Sequence, residues 1–455
     1  MMKQTTTPAA NPITDGIIWK EILRYFFPLL FGTLFQQLYN TVDAVIVGRY
    51  VGKVALSAVG GTSAQMVSLL VGFFLGLSSG ASVVVAQFYG AKRGNEVSRA
   101  VHTGVSLSLL AGIIISVAGF LLAKPFAQLL NTPEEVLDGT VLYLHIIFAG
   151  MIPNLFYNIG SSILRAVGDS KRPLYYLIAS CLSNIILDLL FVISLHMGVA
   201  GVAIATVLSQ LFSALLVLRA LLTTDDSYQL TLSKVRFHKD MLRRMLSIGI
   251  PGGIQSAMYM ISNVVIQASI NGFGTDVMAA WTATSKADVL VWLVFGAFGT
   301  TVTTFVGQNY GAGNMERVRT SIRTSLWMTT ATILALCALI LLFGRYLLYL
   351  FSTDSAVIEI GTHMIGYFAR FYWTFILVEI VAGALRGMGE VLVPTILDLL
   401  GVCALRIAWL TLYLPSHHTV DTVMWSYPIS WGITSVLFVA YYFYFTMRRH
   451  LFDGR

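Results

Sequence analysis

Twelve apolar runs recur along the chain, at 22–48, 56–87, 99–123, 137–163, 172–195, 199–222, 247–271, 278–307, 320–343, 357–384, 392–414 and 423–446. Each is long enough to cross a bilayer, which takes about 20 residues of helix. Only 11% of the residues are charged and mean hydropathy is +0.76, whereas soluble chains carry roughly 25% charge. The expected fold class is therefore an all-α polytopic membrane protein. The first 15 residues are polar and the run after them is long enough to span, so no cleavable leader is expected. Cys181, Cys337 and Cys403 all sit in apolar runs without metal spacing and read as packing residues.

The basic residues orient these spans. Taking the N-terminus and alternate loops as one side, 22 Lys and Arg fall there, including Lys3, Lys20, Arg24, the pair Lys92 and Arg93, and Arg448, Arg449 and Arg455. The other side has four: Arg49, Lys53, Lys124 and Arg345. Lys286, Arg370 and Arg406 lie inside spans. The positive-inside rule places both termini in the cytoplasm. The net charge of +7 needs no nucleic-acid partner to explain it. One long polar loop, 223–245, divides the chain into six-span halves: 1–222, a cytoplasmic linker, and 246–455.

The halves repeat. VAQFYGA (Val85–Ala91) and VGQNYGA (Val306–Ala312) are offset by 221, and LRAVGDSKRP (Leu164–Pro173) matches LRGMGEVLVP (Leu385–Pro394) at the same offset. Pro28 and Pro251, like Asn40 and Asn263, align at 223. An even number of spans per half gives both halves one orientation, so a parallel repeat about the membrane normal is expected.

Polar residues inside the spans carry the chemistry. Asp43 lies in span one, where an aspartate at a helix centre costs roughly 2.5–3.5 kcal/mol on insertion scales. Such a carboxylate faces a partner or a wet cavity, or reaches the interface when it lies near a helix end. Span five carries Asn184 and Asp188, spaced i,i+4 on one face, and span four carries Asn154 and Asn158 in the same spacing. Thr206 lies in span six and Asn40 in span one. Two carboxylates among neutral oxygens suit either of two uses: a Na⁺ site, or a pair that carries a proton because both cannot stay charged cheaply in low dielectric. The bland counterpart is a polar network that fixes helix register. Pro28 either kinks span one as a hinge or sits harmlessly in its first turn.

With these motifs in place, the chain resembles the multidrug and toxic compound extrusion (MATE) family over essentially its whole length. The resemblance rests on the 6+6 layout, the Gln-x-Tyr-Gly-Ala loops after spans two and eight, the Leu-Arg-x-x-Gly-[Asp/Glu] loops after spans four and ten, and NTVDAVIVGRYVG in span one. It points to the prokaryotic branch with an acid in the first helix, and so implies a bacterial cytoplasmic membrane. It implies two bundles forming a V around a central cavity, and antiport of organic cations against H⁺ or Na⁺ without a cofactor, by a monomer in contact with lipid. It also implies that Asp43, Asn184, Asp188 and Thr206 form an ion-coupling site. Asn40, Asn154 and Asn158 join that set on chemistry alone.

The second half departs from the pattern. Where many members carry an acid in span seven, eight residues after its proline, this chain has Tyr259. Lys286, Asp288, Arg370, Glu379 and Arg406 remain as polar residues in its spans. Glu379 is expected either to meet a cationic substrate or to pair with Arg370 or Arg406. Tyr39, Tyr259 and Met258 are further cavity candidates, the tyrosines through cation–π contact. The small residues Gly72, Gly76, Gly80, Gly296, Gly299 and Gly307 read as packing faces. His102, His145 and His196 are isolated, and no phosphate loop or catalytic cluster suggests an enzyme. The leading function is a secondary active multidrug exporter. The alternative is a flippase or exporter of a lipid-linked or polar metabolite, disfavoured by the few basic residues in the spans.

Overall fold

The computed structural model describes residues 11–449. Lys3, Arg455 and both chain ends lie outside the described residues. The fold is all-helical, in twelve units: Ile18–Ile46, Lys53–Gly90, Gly94–Leu129, Glu134–Ala149 with Met151–Ala166, Lys171–Ser194, Gly198–Thr223, Lys239–Asn271, Thr275–Gly311, Met315–Leu348, Ser355–Gly387, Leu392–Leu412 and Val420–Arg448. They are called spans one to twelve. Among the described residues, nine are apolar enough by composition alone to cross a membrane, and a tenth is the span-four pair, bent by 51° at Gly150. Spans one and seven are as long, at 29 and 33 residues, and more polar.

Local chemistry sets the boundaries. Asn314, Asp354 and Thr419 cap spans nine, ten and twelve, each accepting from backbone N–H groups that the first turn leaves free. Pro28 lies inside span one, clear of its first turn, so the first-turn alternative is excluded. Spans five and eleven each contain a π-helical stretch, Leu189–Ser194 and Leu399–Ala404, and each stretch begins directly after an aspartate, Asp188 and Asp398.

Glycines let the halves approach. On span two, Gly76 lies against Gly252 and Gly253 of span seven, and Gly80 against Met245 and Gly249, leaving no room for a Cβ. Gly299 of span eight faces the Glu379 side chain of span ten, and Gly307 lies in looser contact with Ala86 of span two and the Gly387 backbone of span ten. Gly296 departs from this reading, since nothing lies within 4 Å of its Cβ position. Span one meets span eight through Phe26 and Phe298, stacked at 4.1 Å.

The repeat is visible in the hydrogen bonds. Gln87 donates to the Gly387 carbonyl (2.9 Å) and Gln308 donates to the Ala166 carbonyl (2.6 Å). Both donor and acceptor of one bond are 221 residues from those of the other. Gly90 lies against the Gln308 backbone and Gly311 against the Gln87 backbone. The Gln-x-Tyr-Gly segments, expected as loops, are the last helical turns of spans two and eight, and they clasp each other about a pseudo-two-fold axis, consistent with the parallel repeat.

This clasp lies on the face that also carries the loop expected at 223–245, whose part outside the flanking helices is 224–238 because the helix of span seven already begins at Lys239. The loop is docked against the first half. Thr231 N–H donates to His102 Nε2 (3.0 Å) and Tyr89 donates to Asp226 (2.8 Å), and just past the loop Arg99 pairs with Asp240 in the first turn of span seven (2.7 Å). At the other end of the molecule the halves part. A cleft of about 830 Å³ opens there between Gln37, Asn40 and Thr41 of span one and Met278, Thr282 and Lys286 of span eight.

Candidate functional site

Span one delivers Asp43 to the interior of the first half, where it is 8% exposed. Span five delivers Asn184 and Asp188, both fully buried, one helical turn apart. The Asp43 and Asp188 side chains lie within hydrogen-bonding reach of each other. Asp43 Oδ1, both Asp188 oxygens and both polar atoms of Asn184 are buried without a hydrogen-bond donor or acceptor among the described residues. Buried polar atoms are almost always paired. Two acceptor-only carboxylates facing each other leave the site needing positive charge between them. The oxygens present fit a proton or a hard monovalent cation.

Helix geometry sorts the other candidates. Tyr39 stands four residues before Asp43 and shares its face. Its hydroxyl meets Thr206, which itself donates to the Val202 carbonyl (3.0 Å). Tyr39 therefore belongs beside the carboxylates and not to the central cleft, contrary to the sequence expectation. Asn40 is the converse case. Three residues from Asp43, it is turned by about 60° around the helix, is exposed, and lines the cleft beside Gln37 and Lys286. It does not join the carboxylates. Asn154 and Asn158 face one way, as their spacing predicts, and Asn158 donates to the Asn154 carbonyl (2.9 Å). They line a cavity of about 60 Å³ with Gln36 and Tyr39, next to the carboxylate pair.

One residue of this site escaped the sequence reading. Tyr143, in the first half of span four, is an electrostatic neighbour of both Asp43 and Asp188. A tyrosine in an apolar run gives no signal of its own; only the bend at Gly150, which sets the course of that half-span, could have pointed to it.

The second half is organised differently. A cavity of about 450 Å³ is walled by aromatic rings and contains Asp288, Arg406 and Tyr259. Asp288 accepts from Trp292 Nε1 (3.0 Å). Asp398, absent from the sequence candidates, is 2% exposed and accepts from Gln255, with Tyr259 also within reach. Glu379 lines neither the cleft nor this cavity. It packs against Gly299 of span eight, with Arg386 and Asp398 as its electrostatic neighbours. The expected pairing with Arg370 or Arg406 is not formed; Arg370 is exposed. Met258 lines neither the cleft nor this cavity.

Comparison with known proteins follows the same outline. The family model MatE matches residues 28–190 and 251–410. The chain is 30% identical over 408 residues to the probable multidrug resistance protein YpnP of Bacillus subtilis (strain 168), covering 89% of this chain and 90% of that one. It is 26% identical over 435 residues to the probable multidrug resistance protein YoeA of the same organism, covering 93% of each. Its fold matches a structure described as the outward-facing conformation of a multidrug resistance MATE family transporter of the MOP superfamily. That match has a TM-score of 0.89, 23% identity, and covers 99% of this chain and all of that one.

Proposed function

The chain belongs to the MatE family of membrane transporters, and from that premise we propose that it is a secondary active multidrug exporter. It would exchange organic cations or amphipathic drugs for H⁺ or Na⁺. The relatives named as multidrug resistance proteins support the substrate class. The observation that carries the coupling reading is the buried pair Asp43 and Asp188, two facing carboxylates with no donor on Asp43 Oδ1 or on either Asp188 oxygen.

The mechanism follows from where that pair sits. Span one carries Asp43 on one face and cleft residues on another, so a change of charge at the pair acts on a helix that also borders the cleft. Without a cation between them the carboxylates repel, and span one moves relative to span five to separate them. With a cation bound, the two spans close together. Pro28 removes one backbone hydrogen bond inside span one and gives it a place to bend. Residues 1–222 and 246–455 rock as two bodies, with 223–245 as the tether on the cytoplasmic side and the cleft facing outward. Asn184, Thr206 and Tyr39 supply further oxygens beside the pair, and Asn154 and Asn158 border the adjoining cavity. The protein works as a monomer in the bacterial cytoplasmic membrane, both termini inside.

Everted membrane vesicles test this. Imposed H⁺ or Na⁺ gradients should drive uptake of a cationic dye by the wild type, and Asp43→Asn should abolish it without loss of inserted protein. Wild-type dye transport by both Asp43→Asn and Asp188→Asn would sink the coupling site.

A further inference from the structure

Span three puts two polar side chains, His102 and Thr103, on a face that further along is bare. Leu109, Leu110, Ile113, Ile114 and Val117 follow at spacings that return them to within about 60° of the same direction, and all five are exposed. A histidine and a threonine on such a lipid-facing stripe are costly, yet both are buried. The segment between the halves covers them. Thr231 N–H donates to His102 Nε2 (3.0 Å), and His238 N–H donates to Thr103 Oγ1 (3.2 Å). Residues 231–238 therefore run along the lipid-facing flank of span three.

The height of that contact follows from helix geometry. His102 stands eight residues past Gly94, where span three begins, which is about 12 Å along its axis. The span has 36 residues, about 54 Å of helix against a hydrocarbon layer of about 30 Å. Centred in that layer it overhangs by about 12 Å at each end, so the segment rests at the headgroup boundary.

This strap has two sides. Tyr228, Leu230 and Val235 pack into the first half. Leu232 and Phe237 are turned out, 65% and 41% exposed. Lys234, Arg236 and Lys239 are exposed beside them, and 227–239 contains no acid. Of the flanking acids, Asp226 accepts from Tyr89 and Asp240 pairs with Arg99, while Asp225 stands outside the strap. Outward apolar side chains interleaved with cations suit the surface of an anionic bilayer.

We propose that 231–239 is a membrane-surface strap that binds anionic phospholipid. Leu232 and Phe237 sit among the headgroups, and Lys234, Arg236 and Lys239 hold the phosphates. Lipid bound there pins the strap to the first half and keeps His102 and Thr103 covered. The binding stands apart from the exporter reading; only the naming of the leaflet as cytoplasmic rests on the positive-inside assignment.

The test uses the full-length protein in lipid nanodiscs, which leave both faces reachable. A nitroxide spin label is attached through Ser233→Cys, at an exposed position of the strap. Protein without that cysteine gives the labelling background of the buried Cys181, Cys337 and Cys403. Relaxation of the label by oxygen reports lipid, and relaxation by a neutral nickel chelate reports water. The oxygen-to-nickel ratio should be at least about twofold higher in phosphatidylcholine mixed with phosphatidylglycerol than in phosphatidylcholine alone, since each basic residue near an anionic surface adds about fivefold to the affinity. Replacing Lys234, Arg236 and Lys239 by Gln should erase that rise. Leu232→Ser with Phe237→Ser should lower the ratio in both bilayers. An equal ratio in the two bilayers, a label as accessible to nickel as one free in water, or a rise that survives the loss of all three basic residues would overturn the proposal. The comparison of the two lipids with the strap otherwise intact decides the matter even if a multiple variant fails to fold.

Discussion

Gln308 of span eight donates from Nε2 to the carbonyl of Ala166, 2.6 Å away in the other half of the chain. Its counterpart by the internal repeat, Gln87, does the same to Gly387. These two bonds close one face of the molecule, and the segment before span one reinforces them. Asn11 donates to Gln308 Oε1 (2.8 Å), and Arg317 donates to the Ile13 and Gly16 carbonyls (3.0 and 2.7 Å). The clasp must release for the protein to open on this side.

Gln308→Ala should therefore favour the open form of this face. Leaving a buried carbonyl unsatisfied costs about 1–3 kcal/mol, enough to shift a two-state balance severalfold. A cysteine placed at Ser170, which is 4% exposed near the clasp, should react with a maleimide at least about five times faster in the variant. An unchanged rate would show that the glutamine bonds do not hold the face shut.

Tyr143→Phe removes one hydroxyl beside Asp43 and Asp188 while keeping the ring. The expected result is a rise of about three- to tenfold in the ion concentration giving half-maximal transport, because a hydroxyl dipole neighbouring the two carboxylates is lost. Maximal dye transport should change less. An unaltered ion dependence would place Tyr143 outside the coupling site.

Two glycines of neighbouring spans should respond oppositely to the same change. Gly76→Ala drives a methyl group into the Gly252–Gly253 backbone and should destabilise the fold by about 1–3 kcal/mol. Gly296→Ala meets nothing within 4 Å and should be neutral or slightly stabilising, because alanine suits a helix better. Thermal unfolding in detergent measures both.

The docked loop should be sensitive to acid. Burial, with Arg99 and Arg236 nearby, holds the His238 imidazole below its usual value. Its Nε2 accepts from Arg236 Nε (3.4 Å), and Thr103 Oγ1 lies 3.2 Å from Nδ1, an arrangement that suits the neutral ring. A lowered value means that the undocked loop takes up the proton first. Docking is thus fully supported above about pH 6.5 and weakens as pH falls through the usual histidine range. Amide exchange across 226–238 should speed up between pH 7.5 and 5.5 after correction for intrinsic rates. His238→Gln, which cannot titrate, should flatten that response.

Much of this architecture is dictated locally. A run of apolar residues long enough to span must satisfy its backbone internally, so twelve such runs in two six-span halves determine a helical bundle in any tertiary arrangement. The 221-residue offset between the Gln-x-Tyr-Gly segments likewise fixes which bonds must occur in pairs. The i,i+4 spacing of Asn184 and Asp188 puts them on one face because a helix turns by about 100° per residue. Which helices those faces meet is another matter. Asp43 and Asp188 come together only because spans one and five pack side by side. Asn40 turns to the cleft while Tyr39 joins the carboxylates because a rotation of tens of degrees decides which neighbour a side chain meets. In span eleven an ideal helical wheel fails altogether. The π-helical stretch Leu399–Ala404 shifts everything after it, and that shift carries Arg406 into an aromatic cavity that no spacing in the sequence foretells.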